Sequence, residues 1–164
     1  MSWDTLYIMR HEVMLTLLIL FQLVVDLSEG KDNGRLINIT IFSFVLFLIV
    51  GFIPSEPATL FGSMYISDPL RLLLKNILSI STLIVLLQST TWLRKPENQN
   101  KTGPFFLSIL STLMGMFFMI SSGDFLMLYL GLELSTLPLT LLAAFDKSLR
   151  RSAEAGVKLL MSSA

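Results

Sequence analysis

Residues 123–160 read GDFLMLYLGLELSTLPLTLLAAFDKSLRRSAEAGVKLL. A polar Gly-Asp step opens the stretch. The apolar run that follows holds one carboxylate, Glu133, and one proline, Pro138. A basic turn spans Asp146 to Arg151, and a second apolar run then carries Lys158. An ionised group at bilayer depth costs about 3 kcal/mol or more, and it normally faces a protein interior or a water path. An acid inside one membrane helix and a lysine inside the next are therefore read as parts of a proton-handling chain.

The rest of the chain supports a membrane setting. Hydrophobic residues make up 53% of the sequence and charged residues only 15%, against about 25% charged in soluble domains. Mean hydropathy is +0.72. The formal net charge is zero, so no nucleic-acid signature is present. With no cysteine there is no disulfide framework, cysteine zinc site or iron–sulfur site, and a lone His11 builds no metal site. No nucleophile–base pair, glycine-rich phosphate loop or metal-ligand cluster stands out.

Working outward from the quoted stretch, the charges fall between apolar runs. Val13 to Val25 is uncharged but short for a bilayer, at about 20 Å of helix, so this span borrows flanking residues. A signal peptide with Arg10 and His11 as its basic start is the competing reading, but no small-residue cleavage site follows Val25. Leu36 to Ile53 can span at roughly 27 Å, and Pro54 and Pro57 stop it. Asp68-Pro69 opens a third span, to about Trp92, with Arg71 and Lys75 in its first turns. Pro104 sits at the start of a fourth, where proline is tolerated. The fifth runs from about Asp124 to Phe145, and a sixth starts near Ser152. The expected fold is an all-α, polytopic transmembrane bundle of five complete helices and the start of a sixth, with 1–103 and 104–164 as its two parts. Because the last run stops without a polar flank, the chain is expected to be an amino-terminal fragment of a longer membrane protein.

Loops after the first, third and fifth spans are basic: Lys31 and Arg35, then Arg94, Lys95 and Lys101, then Lys147, Arg150 and Arg151. Those after the second and fourth hold only acids. The positive-inside rule makes the basic set cytoplasmic and puts the amino terminus outside. Arg71 and Lys75 then lie near the outer interface and are expected to snorkel, setting helix depth. His11 is expected to be an interfacial flank.

Helical spacing places Tyr129, Thr136 and Thr140 on the Glu133 side of the fifth span, with Phe125 and Leu126 closing the stripe at one end. Pro138 frees the Leu134 carbonyl. The stripe is expected to lead protons from the basic end to Glu133. The plainer alternative is a protonated Glu133 that bonds a neighbouring helix. For Lys158 the plainer alternative is an ion pair with Glu154, in the favourable i,i+4 order.

The run FLMLYLGLELSTLPLTLLAAFDKSLRRSAEAGVKLL resembles one family, the N subunit of bacterial NADH–quinone oxidoreductase (respiratory complex I), an antiporter-like subunit. That family carries a similar "LxLGLELxSLPLYxLxAF" segment followed by "SxEAxxKYF". HEVMLTLLILFQLVVDL is similar to its first helix and SDPLRLLLKNILSI to the start of its third, although His11 replaces a usual proline and Leu159-Leu160 replace Tyr-Phe. The resemblance implies a fourteen-helix fold with two inverted repeats, an arrangement common in transporters. It implies that Glu133 and Lys158 take part in proton translocation. It also implies that no cofactor sits in this chain: NADH, flavin, iron–sulfur clusters and quinone belong to partner subunits of a complex in the bacterial inner membrane. Further lysines of the family fall beyond Ala164, and a fragment without them should not pump. A related cation/proton antiporter and a structural membrane subunit remain the alternatives.

Overall fold

A computed structural model describes residues 3–29, 33–54, 56–143, 157–158 and 161. The order is α1 (Trp3–Ile8), α2 (Arg10–Glu29), α3 (Asn33–Gly51), β1 (Ala58–Leu60), β2 (Tyr65–Ser67), α4 (Pro69–Leu93), α5 (Thr102–Ser121) and α6 (Phe125–Ala143), with a 3-10 turn over Pro96–Lys101. The all-α membrane bundle is as expected. Five helices of 19 to 25 residues reach about 28–38 Å. Three of them, α3, α4 and α5, are long and apolar enough to cross a bilayer by themselves. The α2 helix recruits Arg10–Glu12 at one end and Asp26–Glu29 at the other, which is how its short apolar core reaches spanning length. Most of the sixth span, with the basic turn before it and Glu154, lies outside the described residues.

The helix starts follow local chemistry. Asp68 caps α4 by accepting the Arg71 backbone N–H at 2.8 Å, and Pro69 fills the first helical position. Asp124 accepts the Met127 backbone N–H at 2.9 Å and so starts α6 after the Ser122-Gly123 break. Pro104 lies in the first turn of α5, where its missing N–H costs nothing.

The α5 helix is central, packing on α2, α3, α4 and α6. The core gathers Leu15, Ile37, Phe44, Phe47, Leu86, Phe106, Leu110, Leu113 and Phe117. Contact between α5 and α6 is closest at Gly115 and Gly131. A Cβ on Gly131 would stand 2.7 Å from the Met119 backbone nitrogen and 3.0 Å from the Gly115 carbonyl.

One element departs from the expected loop between the second and third spans. Residues 58–67 form a two-stranded antiparallel hairpin, pairing Ala58 with Ser67, Thr59 with Ile66 and Leu60 with Tyr65. Its turn puts Phe61, Gly62 and Ser63 at φ 52°, 63° and 76°, a left-handed path that only glycine takes without strain. The hairpin docks on the α5–α6 turn: Tyr65 bridges Ser122, and the Gly123 N–H donates to the Met64 carbonyl at 2.7 Å. A Cβ on Gly123 would collide with the Ser63 carbonyl. Chain direction puts the starts of α2, α4 and α6 and the ends of α3 and α5 at this hairpin end. Arg35, Arg94, Lys95 and Lys101 gather at the opposite end.

Candidate functional site

Two regions hold ionisable groups inside the bundle. The first is the expected one. Glu133 lies half-buried on α6, about halfway along its length. Tyr129, one turn before it, is 52% exposed, and its hydroxyl interacts with the Glu133 carboxylate. Thr136 is half-buried and donates to the Glu133 carbonyl at 3.3 Å. Thr140 is buried and donates to the Thr136 carbonyl at 2.8 Å. The threonine hydroxyls are thus bonded to their own helix, as is common for threonine in membrane helices. Phe125 and Leu126 are exposed at the start of α6. Among the described residues no cation forms an ion pair with Glu133. Lys158 is helical and exposed. Leu139 and Leu142 of α6 also line a cavity of about 310 Å³ shared with α4 and α5, whose walls include Ser81, Thr82 and Thr112.

The second region was not anticipated, and it corrects the reading of Lys75, Arg71 and His11. Lys75 does not snorkel: it is 3% exposed, and its Nζ reaches Glu12 Oε1 at 2.5 Å. Glu12 is 1% exposed. The Tyr65 hydroxyl, from the hairpin, donates to Glu12 Oε2 at 3.0 Å and accepts from Lys75 Nζ at 3.1 Å. Ser121, at the end of α5, donates to Glu12 Oε1 at 3.3 Å. Four elements therefore meet on one carboxylate. Burial, with the Glu12 charge beside it, pushes the Tyr65 hydroxyl upward and keeps it a proton donor. The ring of Phe117 closes the remaining side of Lys75, 5.8 Å from Nζ.

His11 is buried rather than interfacial. Its Nε2 lies 3.3 Å from Asn76 Oδ1, and its ring meets Phe47 and Phe117 edge-on. Gly51 makes room for it, since a Cβ there would stand 3.1 Å from Nε2. Arg71 is partly buried. It pairs with Asp68 at 3.4 Å and donates to the Ser122 carbonyl at 2.9 Å, so it clamps the hairpin and the α5–α6 turn together. Arg10 donates to the Pro54 carbonyl at 3.3 Å. A signal for this region was present in the sequence: Glu12 and Lys75 lie close to the starts of two spans that run in the same direction, so their depths match, and two charges at one depth find each other.

Among the described residues no group of three or more His, Asp or Glu side chains could hold a metal ion.

Part of the chain is similar to a known family. Residues 122–164 match the family described as NADH:quinone oxidoreductase/Mrp antiporter, transmembrane. Over that segment, which holds α6 and Glu133, the chain is similar to antiporter-like membrane subunits. Within that class it is similar to NADH-quinone oxidoreductase subunit N, as the resemblance of residues 125–160 led us to expect. It is 40% identical to that subunit of Phocaeicola vulgatus over 94% of this chain and 33% of the relative. It is 35% identical to that of Azobacteroides pseudotrichonymphae over 100% of this chain and 35% of the relative. With the subunit of Rhodospirillum rubrum it shares 32% identity over 90% of this chain and 31% of the relative. The chain spans about a third of the length of the curated relatives it matches.

Proposed function

We propose that this chain forms part of the proton-translocating membrane subunit of an NADH–quinone oxidoreductase in a bacterial inner membrane. Electrons pass from NADH to quinone in partner subunits, which hold the flavin and iron–sulfur clusters. This subunit moves protons by shifting charge along buried acids and lysines. Glu133 is the proton carrier on α6, and Lys158, in the sixth span, is the second charged group that takes part in translocation. The proton path follows Tyr129, Glu133, Thr136 and Thr140 toward the basic end, which faces the cytoplasm, with the amino terminus outside. The observation that carries this reading is a lone carboxylate, half-buried in an apolar helix, within the segment that matches the antiporter family. Such a group is expensive unless it is used.

The test is proton pumping in vesicles holding the assembled complex, normalised to NADH oxidation. Glu133→Gln keeps the hydrogen-bonding shape and removes the proton site. It should assemble and lose pumping by about tenfold or more, equivalent to roughly 1.4 kcal/mol of barrier. Wild-type pumping by Glu133→Gln would instead make Glu133 a bond between helices. A second reading, a subunit of a cation/proton antiporter, is favoured by the matched family's own description, which names both. Proton movement that requires sodium but not NADH would select it.

A further inference from the structure

We propose that Glu12, Lys75 and Tyr65 form a second proton-exchange site, separate from Glu133 and opening at the hairpin end of the bundle. The geometry carries it. Lys75 Nζ and Glu12 Oε1 are 2.5 Å apart, close enough for the ammonium to pass a proton to the carboxylate. The products are a neutral amine and a neutral acid, with no net charge created. In a region closed by Phe117 and the Tyr65 ring, this neutral pair avoids the desolvation cost that two buried ions carry. The acid can then pass its proton outward and leave a carboxylate beside a neutral amine. Uptake of one proton restores the starting state.

Two hydroxyls touch the carboxylate and can relay that proton: Tyr65 at Oε2 and Ser121 at Oε1. From there polar groups continue to the surface. Ser122 follows Ser121, Arg71 holds the Ser122 carbonyl, and Arg71 pairs with Asp68, whose side chain is 38% exposed. On the opposite side, toward the bundle centre, the Ser79 hydroxyl, one turn deeper on α4, is committed to the Lys75 carbonyl and His11 is held at Asn76, while the neighbouring Phe44, Phe47 and Phe117 are apolar. The exit therefore lies at the hairpin.

The ionisable groups around the pair are few. The α2 helix brings Arg10 and His11, and α4 brings Arg71. Asp68 lies at the α4 cap, the hairpin gives Tyr65, and Asp124 stands at the start of α6 beyond the turn. Asp68 balances Arg71. Arg10 meets a backbone carbonyl and the Tyr7 ring, 5.4 Å from its guanidinium carbon. The resulting surplus of positive charge offsets the negative charge that the pair acquires when its proton leaves. The α5 helix carries no ionisable group, and the one on α3, Arg35, lies at the opposite end of the bundle.

A buried ion pair that serves packing alone has the same contacts, so the test must separate the two. Replacing both charges together, Glu12→Gln with Lys75→Met, avoids a lone buried charge and is tolerated by a purely structural pair. Infrared difference spectra of the purified complex between acid and alkaline pH should show, in the wild type, a shift of the Glu12 carboxylate band as the lysine beside it loses its proton. That signal should be absent in the double variant, whereas Glu133→Gln should leave it in place, which keeps this site distinguishable from the first. Tyr65→Phe keeps the ring and the ion pair, and it should shift the midpoint of the signal by about one pH unit through loss of its hydrogen bonds. If wild type and double variant give the same spectra, or if Tyr65→Phe titrates as wild type does, the site exchanges no proton. If the double variant does not assemble, Tyr65→Phe alone decides.

Discussion

The hairpin end and the middle of α6 solve the cost of a buried charge in opposite ways. At the hairpin end, Glu12 is saturated: Lys75, Tyr65 and Ser121 supply three donors from three elements. On α6, Glu133 has Tyr129 from its own helix, and no ion pair among the described residues. One carboxylate is held by elements far apart in the chain, so its loss should be felt by the whole fold. The other depends on a single helix, and its loss should be felt mainly in transport. Stability and transport are therefore expected to separate by region.

The largest expected effect breaks the saturated side. Lys75→Met leaves Glu12 buried without its cation, a change worth about 3–5 kcal/mol. The assembled amount in membranes should fall steeply and recover when Glu12→Gln is added. Recovery matters because it distinguishes an uncompensated charge from lost packing.

Next comes the surface that joins the two regions. Gly131→Ala puts a Cβ 2.7 Å from the Met119 backbone, so α5 and α6 must part. Overpacking of this kind costs about 1–3 kcal/mol, read as a lower thermal midpoint of the solubilised complex. Since Gly131 is two residues from Glu133, pumping per assembled complex should fall as well.

The smallest effect sharpens the contrast. Thr136→Val with Thr140→Val removes two hydroxyls that already bond to their own helix. Their loss should cost stability at most about 0.5–1 kcal/mol. If the proton path runs along this face, uptake should nevertheless slow, measured as pumping per NADH oxidised. Phe125→Ala, at the other end of α6, should change it less.

Much of this organisation was legible in the residues. Asp68-Pro69, Pro104 and Gly123-Asp124 each mark a helix start through a local rule, and helices begin at or next to each of them. Charge-poor runs of spanning length required little else. The hairpin was not legible. Its strands have three residues each, and its turn holds Phe61 and Ser63 in a left-handed conformation. Neither residue signals such a turn, and Gly62 alone is weak. It is the docking on Ser122 and Gly123 that holds the turn, a tertiary effect that local propensity does not contain.

The Glu12–Lys75 pair was missed for a related reason. Reading one helix at a time finds neighbours at i,i+3 and i,i+4, and these two residues stand 63 positions apart. Near a span end a lysine snorkels by default, and only the hairpin folded over it removes that option. Glu133 was visible because a single acid in an otherwise apolar run needs no partner to be noticed.

The central claim is that Glu133 changes protonation while the complex works. Infrared difference spectra taken during NADH oxidation test it most directly, comparing wild type with Glu133→Gln at equal assembly. A carboxyl signal assignable to Glu133 should appear on turnover in the wild type and be missing from the variant. A wild-type complex that pumps protons with no turnover signal assignable to Glu133 would contradict it.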